Sequence, residues 1–292
     1  MHKNLFIFLV ILILMNACGN QENTIEDPID IHRYAREDTT EGIVVVAGNN
    51  PIEVRNRIEE YEIPETTFVE KRKVLYAILD SLTRVVDTNQ IDAYNVTDSL
   101  NYMAIHYMQN ILQDIESVYS PLKHKMLSTA VSPDKQLRAY SWNENIGAPF
   151  NSNINVFQYF TKDKKLKTAF NKQGQNTHDI DFKASKITAV YKLNSRIDKN
   201  LYLVNFEGDM NGTQKFKGST VLALQNDTLH FDYIGFSSLE EYCFMLYPKD
   251  MNVLSKFDYK QQQLVYTMKN TDGTIETIVY VFNGEQFELK QD

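Results

Sequence analysis

The chain has 292 residues, 43% of them hydrophobic, and a formal net charge of −8. An acidic surface repels the phosphates of nucleic acids and of anionic lipids, so nucleic acid is excluded as an expected partner. The sequence contains 17 tyrosines and 16 phenylalanines. These residues supply ample material for a sizeable core and favour β structure.

The amino terminus has the pattern of a secretory signal. After a basic start, an apolar run extends from Leu5 to Met15, and the small residue Ala17 precedes Cys18. The run is 11 residues long, whereas a helix needs roughly 20 to cross a bilayer. We therefore predict that residues 1–17 are a signal peptide that is removed on export.

The cysteine directly after the small residue resembles the lipobox of bacterial lipoproteins. The family usually has leucine and a small residue where this chain has Met15 and Asn16. The resemblance implies that the Cys18 thiol is joined to a diacylglycerol, that the signal is cut just before it, and that the protein can be labelled with palmitate. An uncleaved anchor or a buried cysteine is the alternative. Lipidation would hold the protein at a membrane of the cell envelope, with the outer membrane of a Gram-negative bacterium as the expected place.

Cys243 is the second of the two cysteines in the chain. If Cys18 carries lipid, Cys243 has no disulfide partner within the chain, and the stability must come from the core. It lies in the apolar segment 242–245. This position favours a buried thiol over a catalytic nucleophile.

Residues 18–42 are polar and acidic with little periodicity, which predicts a flexible tether. Residues 43–130 are predicted to be helical. Apolar residues recur at steps of three and four over residues 65–86 and again over 96–119, which predicts two long helices. Short helices are predicted near residues 51–61 and 120–127, where a capping residue precedes proline.

From about residue 131 the apolar period changes to two, the period of a β-strand. The strongest hairpin signal is Asn283-Gly284. We predict an antiparallel β domain over residues 131–292, folded as a meander, a sandwich or an open barrel. The predicted fold class is therefore α+β, with an N-terminal helical segment of two long helices plus short ones before the β region. Further turn signals are Lys162-Asp163-Lys164, Asn226-Asp227 and Asp272-Gly273.

Residues 132–142 read Ser-Pro-Asp-Lys-Gln-Leu-Arg-Ala-Tyr-Ser-Trp. This stretch resembles the phrase that opens strands in β-propeller blades, with Lys135 where that phrase has glycine. A closed propeller needs several blades of roughly 40 residues, and the phrase occurs once. With residues 155–159, the stretch also resembles uncharacterised Bacteroidota lipoproteins that have a helical front and a β-rich back. Neither resemblance implies a named activity.

Two pairs of polar residues have the chemistry of a metal or acid–base site. His178 and Asp181 lie within four residues, but a metal site needs further ligands, so a solvated loop is preferred and no metal or cofactor is predicted. His230 and Asp232 would lie on the same face of a predicted strand, an arrangement used in acid–base work. No nucleophile motif accompanies them, so a surface pair is preferred to a catalytic one.

Aromatic and basic side chains offer two further candidate contacts. Trp142 and Tyr140 precede a loop rich in amide side chains, and Tyr159 belongs to a later predicted strand, so the three aromatics could form a sugar-binding platform. The commoner alternative is a half-buried core tryptophan. The lysine-rich hairpin 162–167 could bind a polyanion, although lysine at sheet edges mostly discourages aggregation.

Two functions remain open from the sequence. The first is a non-enzymatic binding or scaffolding lipoprotein, anchored to the membrane through its lipid, with an unknown envelope protein or glycan as partner. The second is a cell-envelope hydrolase with a His/Asp site. The sequence contains no G-x-S-x-G, Walker or H-E-x-x-H motif, so no catalytic residue is assigned and the first function is preferred.

Overall fold

The structure is a computed structural model that describes residues 66–85, 91–145, 152–171, 185–197, 199–210, 212–237 and 242–290. The predicted signal peptide, the lipidation site at Cys18, the tether and the short helix near residues 51–61 lie outside the described residues. The chain divides into two compact units, one ending at Met108 and the other beginning at Gln109.

The first unit contains helix α1 (Phe68–Val85) and most of helix α2 (Ile91–Leu112). Helix α1 begins with a capping box, because the Glu70 carboxylate accepts a hydrogen bond from the Thr67 backbone N–H while the Thr67 hydroxyl accepts one from the Glu70 N–H. Within the described residues, no helix is both long and apolar enough to cross a bilayer. Each helix has one buried apolar stripe, formed by Leu75, Ile78, Leu79 and Leu82 in α1 and by Leu100, Ala104 and Met108 in α2.

The second unit contains three antiparallel sheets. A single helical turn, α3 (Glu116–Tyr119), precedes them. Sheet A has the strand order β1 (Ser128–Val131), β2 (Leu137–Asn143), β3 (Asn153–Phe160), β4 (Leu166–Asn171). Sheet B has the order β5 (Lys186–Lys192), β6 (Asn200–Asp209), β7 (Gln214–Gln225), β8 (Thr228–His230), and β9 (Tyr242–Pro248) pairs with the other half of the same β7 edge. Sheet C has the order β10 (Asn252–Asp258), β11 (Gln263–Lys269), β12 (Ile275–Phe282), β13 (Phe287–Leu289).

Sheet B is the middle layer of this unit. Successive residues of a strand point to opposite faces, and β6 is buried on both of them. Tyr202 and Val204 belong to a core cluster shared with sheet A, whereas Leu201 and Leu203 belong to a second cluster shared with sheet C. The two clusters therefore lie on opposite faces of sheet B, and each joins two sheets.

The fold class predicted from the sequence is wrong. The described residues are mostly β, with 13 strands in three separate antiparallel sheets and three helices, one of them a single turn. The α+β arrangement of a helical segment followed by one meander, sandwich or open barrel does not describe this chain. Residues 121–127, predicted as a short helix, form turns and irregular backbone. The period of two identified strands, but the division into sheets depends on pairing between residues that are distant in sequence.

Local turn chemistry follows the sequence closely. The Asn283-Gly284 hairpin connects β12 to β13, with Gly284 at φ +104°, as predicted. Lys135, which replaces the glycine of the propeller phrase, adopts φ +58°, the left-handed conformation that glycine takes most readily. This turn is held by Asp134, whose carboxylate accepts a hydrogen bond from the Gln136 N–H, so the phrase forms its turn without the glycine.

Two glycines in sheet B make room for aromatic rings across the β6–β7 pair. Phe206 lies opposite Gly218, and Gly208 lies opposite Phe216. A Cβ atom at Gly218 would lie 2.3 Å from the Phe206 ring, and one at Gly208 would lie 2.4 Å from the Phe216 ring. Each phenylalanine thus covers the glycine of the neighbouring strand, and the two rings pack edge to face with centroids 6.3 Å apart.

Candidate functional site

A polar cleft of about 340 Å³ lies at one end of sheet B. Its walls come from the end of β5, the β5–β6 connection, the end of β7 and the β3–β4 turn of sheet A. Three lysines line it, Lys162, Lys192 and Lys199, and none of the described residues lining it is Asp or Glu. In a chain of net charge −8, the three lysines form a local concentration of positive charge. Its remaining polar side chains are Asn194, Ser195, Asn200, Gln225 and Asn226.

The position of Lys162 is set by the β7–β8 hairpin. Asn226 and Asp227 both have positive φ, +49° and +60°, which is the two-residue hairpin geometry that Asn and Asp favour. The Asp227 carboxylate accepts a hydrogen bond of 2.7 Å from the Lys162 backbone N–H, and its carbonyl accepts one from the Lys167 ammonium. These bonds fix the β3–β4 turn of sheet A against sheet B and bring Lys162 to the cleft.

Lys192, the last residue of β5, is the most constrained of the three lysines. Its ammonium donates a hydrogen bond of 2.5 Å to Asn200 Oδ1 and lies 4.5 Å from the centroid of the Tyr202 ring. The Tyr202 hydroxyl donates in turn to Asp134 Oδ2. Burial lowers the pKa of Lys192, and the nearby Asp134 carboxylate opposes that shift by raising it. The Lys192 ammonium is therefore partly desolvated, and the charge of the Asp134 carboxylate offsets part of the effect of that desolvation.

Lys199 lies just before β6, in the connection from β5. Its ammonium lies 5.2 Å from the centroid of the Tyr233 ring. The connection is tied to sheet C at two points: the Asn194 N–H donates to Gln262 Oε1, and the Arg196 N–H donates to the Gly284 carbonyl. Backbone groups of this wall are thus already bonded, so the cleft is formed before any ligand enters.

The arrangement suits an anion that also carries hydroxyl groups. Lysine ammonium groups pair with carboxylate or phosphate as compact point charges. Amide side chains can both donate and accept, so Asn194 and Gln225 suit neutral hydroxyls. Among the described residues, no group of three or more His, Cys, Asp or Glu side chains is placed to hold a metal ion.

The aromatic residues predicted as ligand contacts are buried. Trp142 is 1% exposed, Tyr140 is fully buried and Tyr159 is 4% exposed. The Tyr140 hydroxyl accepts a hydrogen bond from the Arg138 guanidinium, and burial raises the pKa of Tyr159. Burial favours the core interpretation of Trp142, and these rings present no open face for stacking on a ligand.

The polar pairs predicted from the sequence lie away from the cleft or outside the described residues. Strand β8 ends at His230, so Asp232 follows the strand rather than sharing a face of it. Both side chains are exposed. His178 and Asp181 fall in residues 172–184, which lie outside the described part of the chain.

Cys243 belongs to a buried polar cluster between sheets B and C. Its thiol lies 3.7 Å from the Tyr266 hydroxyl, which is 2.6 Å from the Ser219 hydroxyl, and Ser219 in turn donates to Asn205 Oδ1. Burial raises the pKa of Tyr266 well above its ordinary value. The thiol forms no disulfide within the described residues and is buried, so the prediction of a buried thiol is confirmed.

Sequence reasoning identified Lys162 as part of a basic hairpin but missed Lys192 and Lys199. Those two lysines lie at opposite ends of the β5–β6 connection, with no motif around them. The three lysines are brought together by the pairing of β5 with β6 and by the hydrogen bonds of the β3–β4 turn to Asp227 in the β7–β8 turn. No protein-family model matches the sequence, and no curated protein matches it significantly.

Proposed function

We propose that the protein is an extracytoplasmic lipoprotein of the cell envelope, held at the outer membrane by a lipid on Cys18, that binds a ligand or partner through its β region. The leader and the lipobox resemblance support the anchoring half of the proposal. The tether of residues 18–42 would hold the folded units off the lipid surface. This function is one of binding and not of catalysis.

The single observation that carries the binding half is the lysine-lined cleft at the end of sheet B. Its volume of about 340 Å³ is within the usual range of small-molecule sites. The side chains around it are ammonium, amide and hydroxyl groups, which bind polar ligands. The three lysines come from separate elements of two sheets, and the fold places them around one cleft.

The anchoring proposal is tested by labelling cells with a palmitate analogue and separating membranes from soluble proteins. Cys18→Ala is expected to abolish the labelling and release the protein from membranes. Cys243→Ala is the matched control, since it removes the other cysteine, whose thiol is buried. The control should keep both the label and the membrane association. Label retained in Cys18→Ala would overturn the anchoring half of the proposal.

A further inference from the structure

The charge and composition of the cleft specify a class of ligand. The three lysines reach it from three different segments, a turn of sheet A and both ends of the β5–β6 connection. Three lysines in the lining of one cleft give it a positive charge, and a positively charged cleft attracts an anion. No described residue that lines the cleft supplies the opposite charge.

The neutral side chains narrow the class further. Asn194, Asn200 and Gln225 line the same cleft as the lysines. The Asn200 side chain already accepts from Lys192, which leaves its amide N–H₂ group to donate. Amides with both donors and acceptors match the hydroxyl groups of a sugar, each of which can also donate and accept.

We propose that the cleft binds a small acidic sugar, whose carboxylate or phosphate pairs with Lys162, Lys192 and Lys199 while its hydroxyls hydrogen-bond to Asn194, Asn200 and Gln225. The inference rests on the proposed function, since it names the ligand class of the same binding module. The Tyr202 ring and the Asn200 carbonyl oxygen hold the Lys192 ammonium in place, so little side-chain entropy is lost when the anion binds.

The test is calorimetric titration of the full chain, purified in a non-ionic detergent, with three probes of similar size. Glucuronate carries a carboxylate, glucose 6-phosphate carries a phosphate, and glucose is neutral. At least one anionic probe should bind at least about tenfold more tightly than glucose, because hydrogen bonds to charged groups contribute most. Comparison of the affinities of the two anions shows whether the cleft prefers a carboxylate or a phosphate.

A cleft variant and a matched charge control separate local binding from long-range attraction. Lys162→Gln, Lys192→Gln and Lys199→Gln combined should weaken anion binding by at least about tenfold. The control combines Lys256→Gln, Lys269→Gln and Lys290→Gln, which removes the same charge from exposed positions elsewhere. It should bind as the unsubstituted protein does. Replacing the three cleft lysines by arginine keeps the charge and should retain binding.

Three results would overturn the proposal: no binding of either anion by the unsubstituted protein, glucose bound as tightly as the anions, or equal weakening in the control. If the glutamine variant does not fold, the salt dependence of anion binding by the unsubstituted protein still tests the proposal. Salt must weaken the binding, because screening weakens an ionic contact. Cys18→Ala should bind the same probes in detergent. Failure of anchoring and failure of ligand binding are therefore separate outcomes.

Discussion

The reciprocal packing of glycine and phenylalanine in sheet B predicts that replacing these glycines by alanine lowers the free energy of unfolding by different amounts. A Cβ at Gly218 would lie 2.3 Å from the Phe206 ring and 2.7 Å from the Cys243 carbonyl oxygen. The ring could turn slightly, but the carbonyl belongs to the backbone of β9, which pairs with β7 at this point. Gly218→Ala therefore requires the two strands to move apart.

The expected cost follows from overpacking in a buried sheet, which is typically about 1–3 kcal/mol. Because the contact includes backbone, we expect Gly218→Ala to lower the free energy of unfolding by about 2 kcal/mol, after the small entropic gain of replacing glycine. For a domain of this size that corresponds to a fall in Tm of about 4–8 °C. Gly208→Ala should cost less, since its close contacts are all with the Phe216 side chain.

Gly212→Ala is the matched control. A Cβ at Gly212 meets nothing within 4 Å, so this substitution should be neutral or stabilise by up to about 1 kcal/mol. Thermal unfolding followed by circular dichroism, with urea unfolding at constant temperature, gives the order of the three variants. A Gly218→Ala protein as stable as the unsubstituted one, or a Gly212→Ala protein destabilised equally, would refute the reasoning.

Two further predictions concern buried polar groups. Because burial raises the pKa of Tyr266 above its ordinary value of 10.0, the unfolded chain loses this proton first. The contribution of Tyr266 to stability is therefore constant below about pH 10 and falls as the pH rises above it. Tyr266→Phe should reduce that alkaline slope in urea unfolding, and an unchanged slope would contradict the assignment. Gln158 donates to the Leu112 carbonyl and the Ser117 hydroxyl, so Gln158→Leu should cost about 1–3 kcal/mol in the same assay; no loss of stability would show that water replaces both bonds.

The turns of the β region were readable from the sequence because their determinants are local. The Asn226-Asp227 and Asp272-Gly273 signals both form turns, with Asp227 at φ +60° and Gly273 at φ +86°. A turn depends on the φ preference of two or three adjacent residues. The propeller phrase likewise formed its turn, with Lys135 in the conformation that glycine favours. The burial of Cys243 followed from its apolar neighbours alone.

The candidate cleft was not readable in this way. Lys192 and Lys199 are unremarkable in the sequence, and the exposed pair His230 and Asp232 has a more suggestive chemistry. Which lysines meet depends on the strand that each one terminates and on the sheet against which that strand packs. Asp227, which fixes the β3–β4 turn through Lys162, is 65 residues away from it in the chain.

The sequence by itself determined many of the strands and the turns between them, since alternation and turn chemistry act over a few neighbouring residues. The tertiary structure alone decided that these strands form three sheets and that sheet B is the middle one. Local patterns cannot specify this, because a strand covered on both faces, such as β6, owes its burial to partners far away in the chain. The same long-range pairing decided which lysines converge on one cleft.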